Sequence, residues 1–177
     1  MQQRYKRTLL VASAFALSAC AALIPKEHLI PKQQLVDTMQ KQFPLRWEKG
    51  MFRIALESPQ LALNAAQNRL AINAHFTAHV ALVDIDGDFS SSSALRYDPK
   101  QRAVFLQAVT LDTLKLTRGN GFAEMLRPEI GRMMNSYAAS HPIYRFKPDE
   151  LVVLGVKVDV GGIGVVPEGL MLSLHPI

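Results

Sequence analysis

Between Leu70 and Leu82 the chain reads LAINAHFTAHVAL, with Leu70, Ile72, Ala74, Phe76, Ala78, Val80 and Leu82 on every second position. Ala71, Asn73, His75, Thr77, His79 and Ala81 fill the alternate positions. A period of two sends successive side chains to opposite faces of a strand, so this stretch predicts a strand with one apolar face. It is longer than the usual ~5–6 residues. Small residues inside its apolar face, Ala74 and Ala78, let such a strand bend.

The same period extends to either side. Phe52, Ile54 and Leu56 alternate with Met51, Arg53, Ala55 and Glu57, and Ser58-Pro59 interrupts them. Asp86-Gly87 reads as a tight turn or as a bulge in a continuing strand. The serines 90–93 read as polar strand or loop, and Tyr97-Asp98-Pro99-Lys100 as a turn. Ala103 to Leu116 is another long strand, and the long strands on the two sides of that turn form a hairpin. Leu151 to Val160 and Leu170 to Leu174 make a terminal strand pair, separated by a glycine-rich break and the turn Pro167-Glu168-Gly169.

Two segments have helical period. Leu35, Val36, Met39 and Phe43 recur through Lys32–Phe43, with Pro31 near the first turn and Pro44 as the stop. From Asn120, the residues Phe122, Leu126, Ile130, Met133, Met134 and Tyr137 share one face with Met125 beside it, and His141-Pro142 closes the segment. Pro128 marks either a kink or the true start. Helix, strands, helix, strands is the order of an α+β fold, not of a parallel β-α sheet.

Composition bounds the function classes. The 177 residues are 49% hydrophobic and 20% charged, which is globular. The formal charge of +5 suggests a nucleic-acid partner until its location is considered. Arg4, Lys6 and Arg7 supply three of the 20 basic residues and none of the 15 acidic ones, so the rest of the chain carries only +2. Nucleic acid is therefore not an expected partner.

The chain has one cysteine, Cys20, so it has neither an internal disulfide nor a thiolate metal cluster. A basic start, an apolar run Leu9–Leu17 and small residues after it form the layout of a secretory signal, too short to span a bilayer. Leu17-Ser18-Ala19-Cys20 looks like a bacterial lipobox, which implies a diacylglycerol cysteine, further acylation such as palmitate, and cleavage before Cys20. The competing reading is an ordinary leader cut near Ser18–Ala22 with Cys20 incidental. With Ala21 following the cysteine, similarity to enterobacterial lipoproteins implies the periplasmic face of the outer membrane. The expected organisation is a signal over 1–19, a lipidated tether over 20–30 and one domain over 31–177.

Other motifs carry little chemistry. His75 and His79 lie ~13 Å apart on a strand, too far to share a metal. Asp84, Asp86 and Asp88 open like a calcium loop, but Gly87 is fourth rather than sixth and Leu95 stands where a bidentate Glu belongs. There is no GxSxG around the serines, and Gly161–Gly164 lacks the dinucleotide-binding spacing and reads as a turn or bulge. No metal and no cofactor are expected, and with no nucleophile or acid–base set an enzyme is the weakest class.

The lipobox together with QKQFPLRW (Gln40–Trp47), QNRLAINAHF (Gln67–Phe76), ALRYDPKQRAVFL (Ala94–Leu106) and HPIYRF (His141–Phe146) resembles the YceB-like family of small bacterial lipoproteins, a domain of unknown function. The resemblance implies a fold similar to the tubular lipid-binding superfamily: a long helix wrapped by a strongly curved antiparallel sheet, with a second, short N-terminal helix. It also implies a lipid or fatty acyl ligand between the two. The walls would be Leu70, Ile72, Phe76 and Val80 on the sheet, and Phe122, Met125, Leu126, Ile130, Met133, Met134 and Tyr137 on the helix. Methionine is flexible and polarisable and suits such a ligand, but the same residues suit a closed core. The expected function is thus a non-enzymatic, lipid-anchored periplasmic protein that binds an apolar ligand. The alternative is an envelope structural or interaction lipoprotein with a fully packed core, and no protein partner is specified.

Overall fold

The computed structural model describes residues 27–177. Cys20, the signal segment and most of the expected tether lie outside the described residues. The sheet begins inside the stretch expected to be a tether, because Glu27–Pro31 is strand β1, paired antiparallel with the last strand.

Ten strands and two helices follow one another. After β1 come helix α1 (Lys32–Gln42) and strands β2 (Leu45–Lys49), β3 (Phe52–Asn64), β4 (Arg69–Val80), β5 (Val83–Asp98) and β6 (Ala103–Arg118). Helix α2 (Ala123–Ser140) follows, then β7 (Tyr144–Arg145), β8 (Val152–Val153), β9 (Val156–Val166) and β10 (Gly169–Pro176). The strands form two antiparallel sheets, one ordered β1-β10-β9-β8 and the other β2-β3-β4-β5-β6-β7.

This corrects the expected architecture. The fold is mostly β, and α2, at 18 residues, is not a long helix wrapped by a sheet. It lies chiefly along β6 and buries one stripe, Leu126, Ile130, Met133, Met134, Tyr137 and Ala138. Much of its remaining surface, including Glu124, Arg127, Asn135 and Ser136, is exposed. A one-sided apolar stripe forms equally on a helix laid against a sheet edge and on one enclosed by a sheet, which is why the sequence pattern did not separate them.

Strand β4 is the centre of the larger sheet and has the expected parity. Leu70, Ile72, Ala74, Phe76, Ala78 and Val80 are all buried, and the intervening residues face outward. The parity carries across the sheet: Leu56 stands beside Phe76, Ile54 beside Ala78, and on the other side Phe89 beside Ala74 and Ile85 beside Ala78. Asp86-Gly87 is not the turn. The hairpin turns at Ala81-Leu82, between the paired Val80 and Val83, with Ala81 in the left-handed region at φ 55°.

Gly87 instead lies opposite Phe76, where the β5–β6 register shifts. A Cβ there would sit 2.9 Å from Phe76 Cε1 and collide with the carbonyl oxygen of Lys115. Glycine is therefore required by close approach within the sheet, not by a turn. The serine run continues β5, with Ser91 and Ser93 buried on the inner face. Gly161–Gly164 lies within β9, where the register shifts against Ser173/Leu174.

One apolar cluster joins the layers. It runs from Ile30, Val158, Val160, Val165, Leu170 and Leu172 in the smaller sheet, through Leu35 and Met39 of α1, to the inner faces of the larger sheet and α2. No helix of the described residues is long and apolar enough to cross a membrane.

Candidate functional site

Both expected ligand walls belong to one apolar cluster. Leu70, Ile72, Phe76 and Val80 of β4 share one cluster with Leu126, Ile130, Met133, Met134 and Tyr137 of α2, and Phe122 packs against it. Met125 falls outside the stripe and is 46% exposed. Leu70, Phe76, Leu126, Ile130 and Met134 are each 0% exposed. A side chain with no accessible surface borders neither solvent nor an internal void that would admit a water, so each of these residues is packed on all sides.

Space is found near the C-terminal turn of α2. There Met133 and Tyr137 line a small cleft of about 100 Å³ with Leu45 and Trp47 of β2. The Trp47 indole N–H is buried there without a hydrogen-bond partner. Tyr137 is otherwise engaged: its hydroxyl donates to Gln42 Oε1 at 2.6 Å, and the Gln42 amide donates to the Pro142 carbonyl at 2.9 Å. Burial pushes the Tyr137 phenol well above its ordinary pKa. These bonds tie the end of α1 to the end of α2. Glu129, which the sequence reading did not single out, also lies in the buried stripe; Oε1 accepts from Arg132 and Oε2 has no partner.

The outer face of the larger sheet is polar in rows, because its register places charged residues side by side. Glu48, Arg53, His79 and Asp84 form one row across β2 to β5; Arg46, Ala55, Thr77, Asp86 and Arg118 form the next, reaching β6. Between the rows lies a cleft of about 510 Å³. Its three guanidiniums, Arg46, Arg53 and Arg118, make no ion pair among the described residues. Three carboxylates, Glu48, Asp84 and Asp86, balance them in formal charge.

The histidines on this face are held by acids. His75 Nε2 lies 2.9 Å from Asp86 Oδ1 and its Nδ1 lies 3.1 Å from Asp88 Oδ1. A neutral imidazole has one N–H and so can satisfy only one carboxylate, whereas the cation satisfies both. The His75 pKa is accordingly raised, chiefly by its bond to Asp88. His79 Nδ1 lies 2.7 Å from Asp84 Oδ1, and that bond holds the Asp84 carboxyl below its ordinary range.

The sequence reading does not pair these two histidines with the three aspartates. The signal that finds their real partners is the tight Ala81-Leu82 turn, since its register sets His79 opposite Asp84 and His75 opposite Asp88. The arginines at positions 46, 53 and 118 come from three separate strands and become neighbours only through pairing.

No curated protein matches the chain. A family model does match, over residues 30–167, nearly the whole of the described fold. The chain belongs to that family, described as a protein of unknown function (DUF1439).

Proposed function

We propose that this protein is a non-enzymatic, lipid-anchored component of the bacterial envelope, held by Cys20 at the periplasmic face of the outer membrane. In this reading its core is closed and it acts through its surface. The observation that supports it is the complete burial of Leu70, Phe76, Leu126, Ile130 and Met134 in one apolar cluster, so that none of the five borders a space an acyl chain could occupy. Crosslinking in the intact envelope tests the reading and is expected to capture one stoichiometric envelope component. A lipid recovered in stoichiometric amount by organic-solvent extraction of the purified protein would overturn it.

The second reading is an apolar ligand held between α2 and the sheet. The void beside Met133, Tyr137 and Trp47 favours it. At about 100 Å³ that void is well below the ~300–1,000 Å³ of ordinary ligand pockets, so this reading requires α2 to move away from β2. Saturable binding of a fluorescent fatty acid, abolished by Met133→Asp in a variant that keeps its thermal transition, would establish it in place of the first.

A further inference from the structure

At one end of the fold, three apolar side chains face solvent. Leu154 is 72% exposed, Ile177 76% and Val152 42%. Val152 and Ile177 line one cleft of about 380 Å³, and Leu154 sits in the tight turn between β8 and β9 beside it. The Ile177 amide donates to the Lys157 carbonyl at 3.1 Å, which fixes that residue next to the turn. Nothing in folding asks for a leucine at this turn. Leu154 adopts φ 51°, a conformation that disfavours side chains of its size, and its surface stays in water.

Arg102 and Lys157 line the same cleft, and neither forms an ion pair among the described residues. The one acidic side chain lining it, Asp159, is engaged: Tyr97 donates its hydroxyl to Oδ1 at 2.8 Å, and the Val160 amide donates to the same oxygen at 2.9 Å. Exposed apolar side chains beside unpaired cations match the interface of a phospholipid bilayer, with acyl chains below and phosphates above.

The path of the chain points the same way. Strand β1 enters the sheet at Glu27, opposite Ser173, and runs antiparallel to β10, so its N-terminal end is the one directed toward Pro176 and Ile177. Cys20 lies seven residues earlier, a reach of no more than about 25 Å even when fully extended.

We infer that the end of the domain bearing Val152, Leu154 and Ile177 rests on the phospholipid surface, with Arg102 and Lys157 at the level of the phosphates. This orientation deepens the anchored reading above and rests on it. It leaves the opposite end of the larger sheet, at Ala81-Leu82, directed away from the membrane; the two ends are separated by up to about 50 Å along β5.

The test uses the mature chain, residues 20–177 without the expected signal and carrying Cys20→Ala, which cannot be acylated, and co-sedimentation with phosphatidylethanolamine–phosphatidylglycerol vesicles or with phosphatidylcholine vesicles. The unacylated chain should bind the anionic vesicles, and Leu154→Asp with Ile177→Asp should weaken that binding about tenfold or more while leaving the thermal transition in place. Lys157→Gln should narrow the difference between the two lipid mixtures. Leu82→Asp, at a residue 94% exposed at the far end, should change nothing. Absence of vesicle binding, equal binding by the Leu154/Ile177 variant, or equal loss by the Leu82 variant would overturn the orientation. The anchor is read separately, from the mass of the wild-type protein recovered from membranes. An unmodified mass sinks the anchored reading whatever the vesicles show.

Discussion

On β4, Phe76 faces inward with no accessible surface, while His75, one residue earlier, stands on the outer face between Asp86 and Asp88. The two side chains share a backbone and differ only in parity, yet the surroundings of one are packed hydrocarbon and of the other half-exposed carboxylates. The inner face is close-packed, so a change in volume there is felt throughout the core. The outer face is a lattice of charges in water, where each contact is weak alone and replaceable. The inner side should therefore dominate stability, leaving the outer side free for pH response and contact with other molecules.

The contrast can be tested in steps. Phe76→Ala should have the largest effect, lowering stability by about 3–5 kcal/mol in urea unfolding, since it removes a buried ring from a filled site. A cost no larger than that of an outer-face change would mean that the core is not packed as described. Gly87→Ala comes next, at about 1–3 kcal/mol, because its Cβ would meet Phe76 and the Lys115 backbone rather than open space. An unchanged midpoint would show that the sheet can yield there. Tyr137→Phe should cost about 0.5–1.5 kcal/mol by unpairing Gln42 and loosening the joint between the helix ends; amide exchange at the C-terminal turn of α2 should quicken.

His75→Asn should have the smallest effect, within about 1 kcal/mol, with a pH signature that the inner variants lack. The folded pKa of His75 is raised, so its contribution is fully present below the ordinary value of 6.5 and is lost as pH rises through the raised value. The gap between wild-type and variant melting temperatures should thus be wider at pH 6 than at pH 8.5. A gap that widens with rising pH would contradict the double-carboxylate geometry.

Much of the inner face was legible in the residues. The parity of Leu70 through Val80 identified both the strand and its buried side. Proline-bounded helical periods located α1 within one residue of its observed end and placed α2 correctly, with Pro128 inside it. Of the two readings of Asp86-Gly87, the bulge in a continuing strand holds, while the turn uses Ala81 and Leu82, neither a usual turn former and so invisible to turn chemistry. The outer cleft was hidden for a different reason. Its arginines at 46, 53 and 118 share no local pattern, and adjacency across four pairings follows from register.

The sequence by itself determined which residues are apolar and with what period, hence where strands and helices lie and which side of each must leave water. That information is local, since side-chain direction follows from the backbone repeat. Tertiary structure alone decided that α2 lies along β6 in a mostly β fold, that the residues of the two expected ligand walls are buried in one cluster, and that unpaired arginines and exposed apolar residues collect at separate places on the surface. Those outcomes depend on sheet register, bulges and the space left between layers, quantities summed over residues far apart in the chain and written in no single stretch of it.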